Sequence, residues 1–119
     1  MINHYRGEVA LMVEGQALPM RLTLGSLAEL EHAFSVDSLS ALGERFAGGR
    51  LSAHDVTRIL AAGLRGAGSG LSEAEVSALA FDGGLSGAIS AAIRLLDATF
   101  GEPAGESRDV PRPPQPPTT

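Results

Sequence analysis

The chain reads as an α+β domain in which an N-terminal two-stranded antiparallel β-hairpin packs on a small bundle of four to five short helices. Three observations predict this. Two adjacent segments alternate apolar and other residues with a period of two, and a Glu-Gly pair joins them. Downstream, hydroxyl residues with an acid three positions on are each followed by apolar residues at helical spacing.

The segment Glu8–Val13 places Val9, Leu11 and Val13 on one face, and Leu18–Leu24 does the same with Leu18, Met20, Leu22 and Leu24. Glu14-Gly15 lies between them, and Gly15 can take positive φ without a Cβ clash, so a tight hairpin is expected. Pro19 lacks an N–H and suits an edge position facing outward. A lone hairpin is marginally stable in water, so its apolar face needs the helices as a cover.

Ser26, Ser52 and Ser72 are the expected N-caps, with Glu29, Asp55 and Glu75 three residues on; Ser26 and Ser72 fit the reciprocal capping box, and Asp55 is a shorter relative of it. The apolar sets that follow are Leu27, Leu30 and Phe34; then Val56, Ile59, Leu60 and Leu64; then Val76 and Leu79. Leu39, Leu42 and Phe46 predict a short helix from about Ser38. Leu85, Ile89, Ile93, Leu96 and Phe100 form the longest stripe, ending at Gly101 and Pro103. Gly48-Gly49, Gly66 to Gly70 and Gly83-Gly84 stand where helices are expected to stop. Small residues at Ala61, Ala62, Gly63, Ala88, Ala91 and Ala92 permit close helix approach, mostly within the domain.

Residues 1–101 are expected to form one globular domain and residues 102–119 a disordered Pro-rich tail with polyproline II character. The PxxP pattern from Pro111 to Pro117 has the form of an aromatic-groove ligand, but a solvated tail is the expectation. Fourteen acids against nine bases give a net charge of −5, which argues against duplex DNA and anionic membranes as partners. Aromatic residues are 4% of the chain, so no stacking platform for single-stranded nucleic acid is expected either. Every base is Arg, which removes P-loop and Schiff-base lysines, and the absence of Cys removes disulfides, thiol nucleophiles and cysteine zinc sites. A cysteine-free chain suits the cytoplasm. The polar N-terminus does not read as a signal peptide, and no apolar stretch approaches about 18 residues.

Catalytic, cofactor and metal sites are not expected. His4, His32 and His54 are far apart and none sits in a metal-ligand spacing. Ser52, His54 and Asp55 share one helical first turn, where Ser52 and Asp55 serve capping better than a triad. Gly66-Ala67-Gly68-Ser69-Gly70 misses the dinucleotide fingerprint because Leu71 replaces its last Gly and a helix precedes it. The pairs Glu29 and Glu31, and Glu73 and Glu75, are two residues apart and diverge on a helix. What remains is a surface for another protein: Ala10 and Met12 on one strand and Arg21 and Thr23 on the other occupy the face opposite the apolar one.

The run GEVALMVEGQALPMRLTLGSLAELE from Gly7 to Glu31, then LSAHDVTRILAAGLRGAG, then LSEAEVSALAFDGG, resembles in order and spacing the gene transfer agent family of small phage-derived proteins, described both as tail tube proteins and as tail assembly chaperones. The likeness covers about residues 5–100 and is strongest where the hairpin leads into LTLGSLAELE. The family belongs to the tail-gene region of prophage-like particles made by certain alphaproteobacteria. The resemblance implies a non-enzymatic, cytoplasmic chaperone that binds the tape-measure protein and helps tail tube subunits polymerise around it. The alternative it implies is a structural tube or tail-completion subunit retained in the particle, with self-association into a homo-oligomer as its function. No catalytic residues carry over. Deleting residues 103–119 is expected to leave the melting temperature nearly unchanged in a thermal scan followed by circular dichroism.

Overall fold

The computed structural model describes residues 7–47 and 50–101. In chain order these form β1 (Val9–Val13), β2 (Gln16–Met20), α1 (Leu24–Ala33), α2 (Leu39–Phe46), α3 (Ala53–Gly66), α4 (Glu73–Ser77) and α5 (Gly84–Phe100). The two strands are antiparallel, with Val9 opposite Met20 and Val13 opposite Gln16. A two-residue turn joins them, and both of its residues have positive φ, 50° at Glu14 and 78° at Gly15. That is the primed geometry whose twist matches paired strands, so the expected hairpin is present. Its tip is tied down at 2.9 Å by the Gly15 N–H, which donates to Asp82 Oδ2. Val9, Leu11, Val13 and Met20 are buried as the alternation predicts.

Pairs in an antiparallel ladder alternate between exchanging two hydrogen bonds and none, and the pair flanking a two-residue turn exchanges two. Counting from Val13 and Gln16, the Ala10–Pro19 pair exchanges none. Pro19 therefore faces outward, where its missing N–H costs the ladder nothing.

The second strand stops earlier than its alternation suggests. Arg21 leaves the ladder to donate its N–H to the Gly63 carbonyl in α3 at 2.8 Å, and Thr23 becomes the N-cap of α1. Leu24, expected on the buried strand face, instead opens the helix and is 78% exposed. Ser26 is consequently not the cap. It lies inside the first turn, buried, and its hydroxyl donates to the Ala62 carbonyl at 3.3 Å. Glu29 likewise closes no capping box and pairs with Arg65 at 2.6 Å.

The later caps follow expectation. Ser38 accepts from the Ala41 N–H, and Ser52 with Asp55 and Ser72 with Glu75 form reciprocal capping boxes. Such caps contribute about 1 kcal/mol each. The glycine-rich stretch after α3 is a helix terminator: Ser69 N–H donates to the Leu64 carbonyl and Gly68 N–H to the Arg65 carbonyl, the paired bonds of a Schellman motif. Gly83 and Gly84, expected as a stop, instead begin α5 as its N-cap and first residue. Gly48-Gly49 and the tail from residue 102 lie outside the described residues.

The buried stripe of α5 also differs from expectation. Ala88, Ala91, Ala92, Leu95 and Leu96 are buried, whereas Leu85 is 67% exposed. At 3.6 residues per turn this stripe is rotated by roughly a quarter turn from the one through Leu85, Ile89 and Ile93. Alanines win because they let α5 lie close against the hairpin and α3.

α3 is the central helix. It buries Val56, Ile59, Leu60, Ala61, Ala62, Gly63 and Leu64, and β2, α1, α4 and α5 all pack on it. α5 also lines β1, and α2 spans from α1 to α5. At Gly63 a Cβ would strike Leu95, and at Gly66 it would overlap the Arg21 carbonyl oxygen. Gly66→Ala should therefore destabilise by about 1–3 kcal/mol through overpacking, reversing the usual gain of Ala over Gly in a helix. Leu30→Ala, at a side chain 2% exposed, should cost about 2–5 kcal/mol. Urea denaturation checks both, and parent-like midpoints would contradict the packing described.

Candidate protein-binding surface

The outward face of the hairpin carries Ala10 and Met12 on β1, opposite Pro19 and Ala17 on β2. Met12 is 38% exposed. The backbone beside it is partly covered: Asp82 N–H donates to the Met12 carbonyl at 3.0 Å, and Val13 forms an isolated antiparallel bridge with Phe81. Asp82 thus holds both the edge of β1 and the hairpin turn. No local pattern marks that role, because Asp82 lies 67 residues from Gly15.

Arg21 and Thr23 lie beyond the end of β2 and have structural partners of their own. Arg21 Nη2 donates to the Gly66 carbonyl at 3.3 Å, and Arg21 Nε is buried without a hydrogen-bond partner among the described residues. Thr23 Oγ1 accepts the Ser26 N–H at 3.0 Å. It also stands 3.0 Å from Ser26 Oγ. Since the Ser26 proton goes to Ala62, the Thr23 hydroxyl is the donor in that pair. The structure therefore places Ala10 and Met12 side by side, with Arg21 and Thr23 at the seam where the hairpin meets α3 and α1.

Beyond Met12, three other large apolar side chains are exposed among the described residues: Leu24, Leu39 and Leu85. All three were expected on apolar faces, Leu24 on the second strand, Leu39 in the stripe with Leu42 and Phe46, and Leu85 in that of the last helix. Their surface position could not be read from periodicity, since each fits a helical or strand stripe equally well.

The polar groups that suggested chemistry serve the fold. Ser52 Oγ accepts the Asp55 N–H and Asp55 Oδ2 accepts the Ser52 N–H, both at 3.0 Å, while His54 accepts from Arg58 Nε. Asp55 is buried and pairs with Arg45 at 3.4 Å. The Arg45 guanidinium stands 5.4 Å from the ring centre of Phe34 and 5.3 Å from that of Phe46. Those rings meet edge to face at 5.0 Å. Among the described residues no group of three or more His, Cys, Asp or Glu is arranged to hold a metal ion. No helix there is long and apolar enough to cross a membrane.

Fold and surface describe a small α+β module that displays a strand edge and isolated apolar side chains. The chain belongs to the phage tail tube protein family, GTA-gp10, whose model matches residues 6–102. No curated protein and no solved structure matches it. Membership makes the chain a phage-type tail protein rather than an enzyme, with its partners among the proteins of the tail machinery.

Asp55→Ala should cost at least the about 1–2 kcal/mol of a lost cap, since it also removes the carboxylate that holds Arg45 against the two rings. Double-mutant comparison with Arg45→Ala in chemical denaturation measures the coupling; strict additivity of the two losses would refute it.

Proposed function

We propose that this protein works in gene transfer agent tails by binding other tail polypeptides, and that it is a structural subunit of the tube or its completion. The observation that carries this reading is the family match, whose description is a tail tube protein and which spans residues 6–102. The contacts run along the outward side of the hairpin, through Ala10 and Met12, and continue to Arg21 and Thr23. An exposed Met adapts readily to an apolar partner surface, and the acidic balance of the chain keeps it soluble until it is placed.

A second reading is favoured by the hairpin itself. Two strands of five residues each are scant material for a ring built by sheet continuation, and they suit an assembly chaperone better. Under that reading the client is the tape-measure protein, and the chaperone acts in the cytoplasm and leaves before the particle is complete.

Protein composition of purified particles separates the two. A stoichiometric band of this chain is expected for a subunit; its presence only in producing cells supports the chaperone. Co-expression with the tape-measure protein supplies the complementary result, since a soluble complex is expected of a chaperone. In either case Met12→Asp should weaken the complex while leaving the melting temperature close to that of the parent, because Met12 is already partly exposed. Unchanged binding by that variant would place the contact elsewhere.

A further inference from the structure

A groove of about 500 Å³ opens between α2 and the C-terminal end of α5. Leu39, Phe46, Leu96 and Phe100 supply its apolar lining, and Glu44 and Asp97 its carboxylates. Leu39 is 43% exposed there. Among the described residues, no Arg or His lines it.

α2 runs along the groove from Leu39 to Ala47, and α5 ends at it. A helix C-terminus carries partial negative charge that a nearby cation stabilises. Glu44 instead occupies the last turn of α2, and α5 has no basic residue in its last turn. Arg45, the one base at the end of α2, is committed to Asp55 and the two phenylalanine rings. Glu29, Asp55 and Glu73 each have an Arg partner, while Glu44 and Asp97 have none among the described residues. Two carboxylates and the negative end of α5 thus border an apolar floor. The matching occupant is apolar along one face and cationic beside it. Because helices form both walls, no strand edge is available to pair with an extended backbone, so the occupant must satisfy its own hydrogen bonds.

We infer that this groove docks an amphipathic helix of another polypeptide, with Arg or Lys flanking its apolar face. The inference holds for a tail subunit and for a chaperone alike.

The test titrates the isotopically labelled full chain with a synthetic helix of about 15 residues that carries leucines on one face and lysines elsewhere. A peptide with glutamates in place of the lysines is the control. Amide shifts are expected in α2 and the end of α5, and binding should weaken as salt rises. The double variant Glu44→Arg/Asp97→Arg should weaken binding at least about tenfold. Glu14→Arg, at the hairpin turn, should leave it unchanged. Equal weakening by both variants, equal binding of the glutamate peptide, or shifts confined to the hairpin would overturn the inference. So would groove shifts without any peptide: shifts that grow with protein concentration would mean a second copy fills the groove. Shifts produced by Arg108→Gln/Arg112→Gln would mean that the chain's own C-terminal segment does.

Discussion

The structure depends on the close approach of the chain at Arg21 to the α3 backbone. There the hairpin stops pairing with itself and pairs with a helix instead, through the bond from Arg21 N–H to the Gly63 carbonyl and the guanidinium contact with the Gly66 carbonyl. Only glycines at these two positions allow it, because a side chain would meet Leu95 and Met20 at one and the Arg21 backbone at the other. The seam fixes where α1 begins. It also sets the depth at which Met20 is buried, and it is reinforced by the Ser26 hydroxyl on the Ala62 carbonyl. Loss of the seam would separate the strand pair from the helices that cover it, and two strands alone do not hold together in water.

A second fastening sits at the other end of α3. Asp55 closes the capping box and receives Arg45, whose guanidinium also contacts the rings of Phe34 and Phe46. One arginine thereby joins α2 to the starts and ends of its neighbours. α2 has only eight residues and buries only Leu42 and Phe46. A helix so short is weak on its own, so this polar and aromatic junction carries much of its attachment.

Much of the fold was legible in the sequence because it is encoded locally. The Glu14-Gly15 turn, the alternation of Val9, Leu11 and Val13, and the serine caps at 38, 52 and 72 each act within a few residues. The misread positions are those decided at long range. Leu24 and Ser26 changed roles because α3 captures Arg21 from far along the chain. Leu85 is exposed because α5 packs through alanines, whose contribution is close approach rather than hydrophobic bulk. Of the surface, the outward position of Ala10 and Met12 followed from the strand period. The clamp by Asp82 and the groove between α2 and α5 are products of tertiary packing and had no local signature.

Pro19 has a consequence for how copies of such a module can join. Of the backbone groups that β2 turns away from its neighbour, those of Ala17 and Pro19, only Ala17 carries an N–H. That flank is a poor template for an added strand, and the opposite flank is already occupied at Met12 by Asp82. The β1 flank keeps the groups of Ala10, so each flank is a partial template and strand addition is a weak way to join copies. A tail that used this module repeatedly would draw on side chains to knit its copies together.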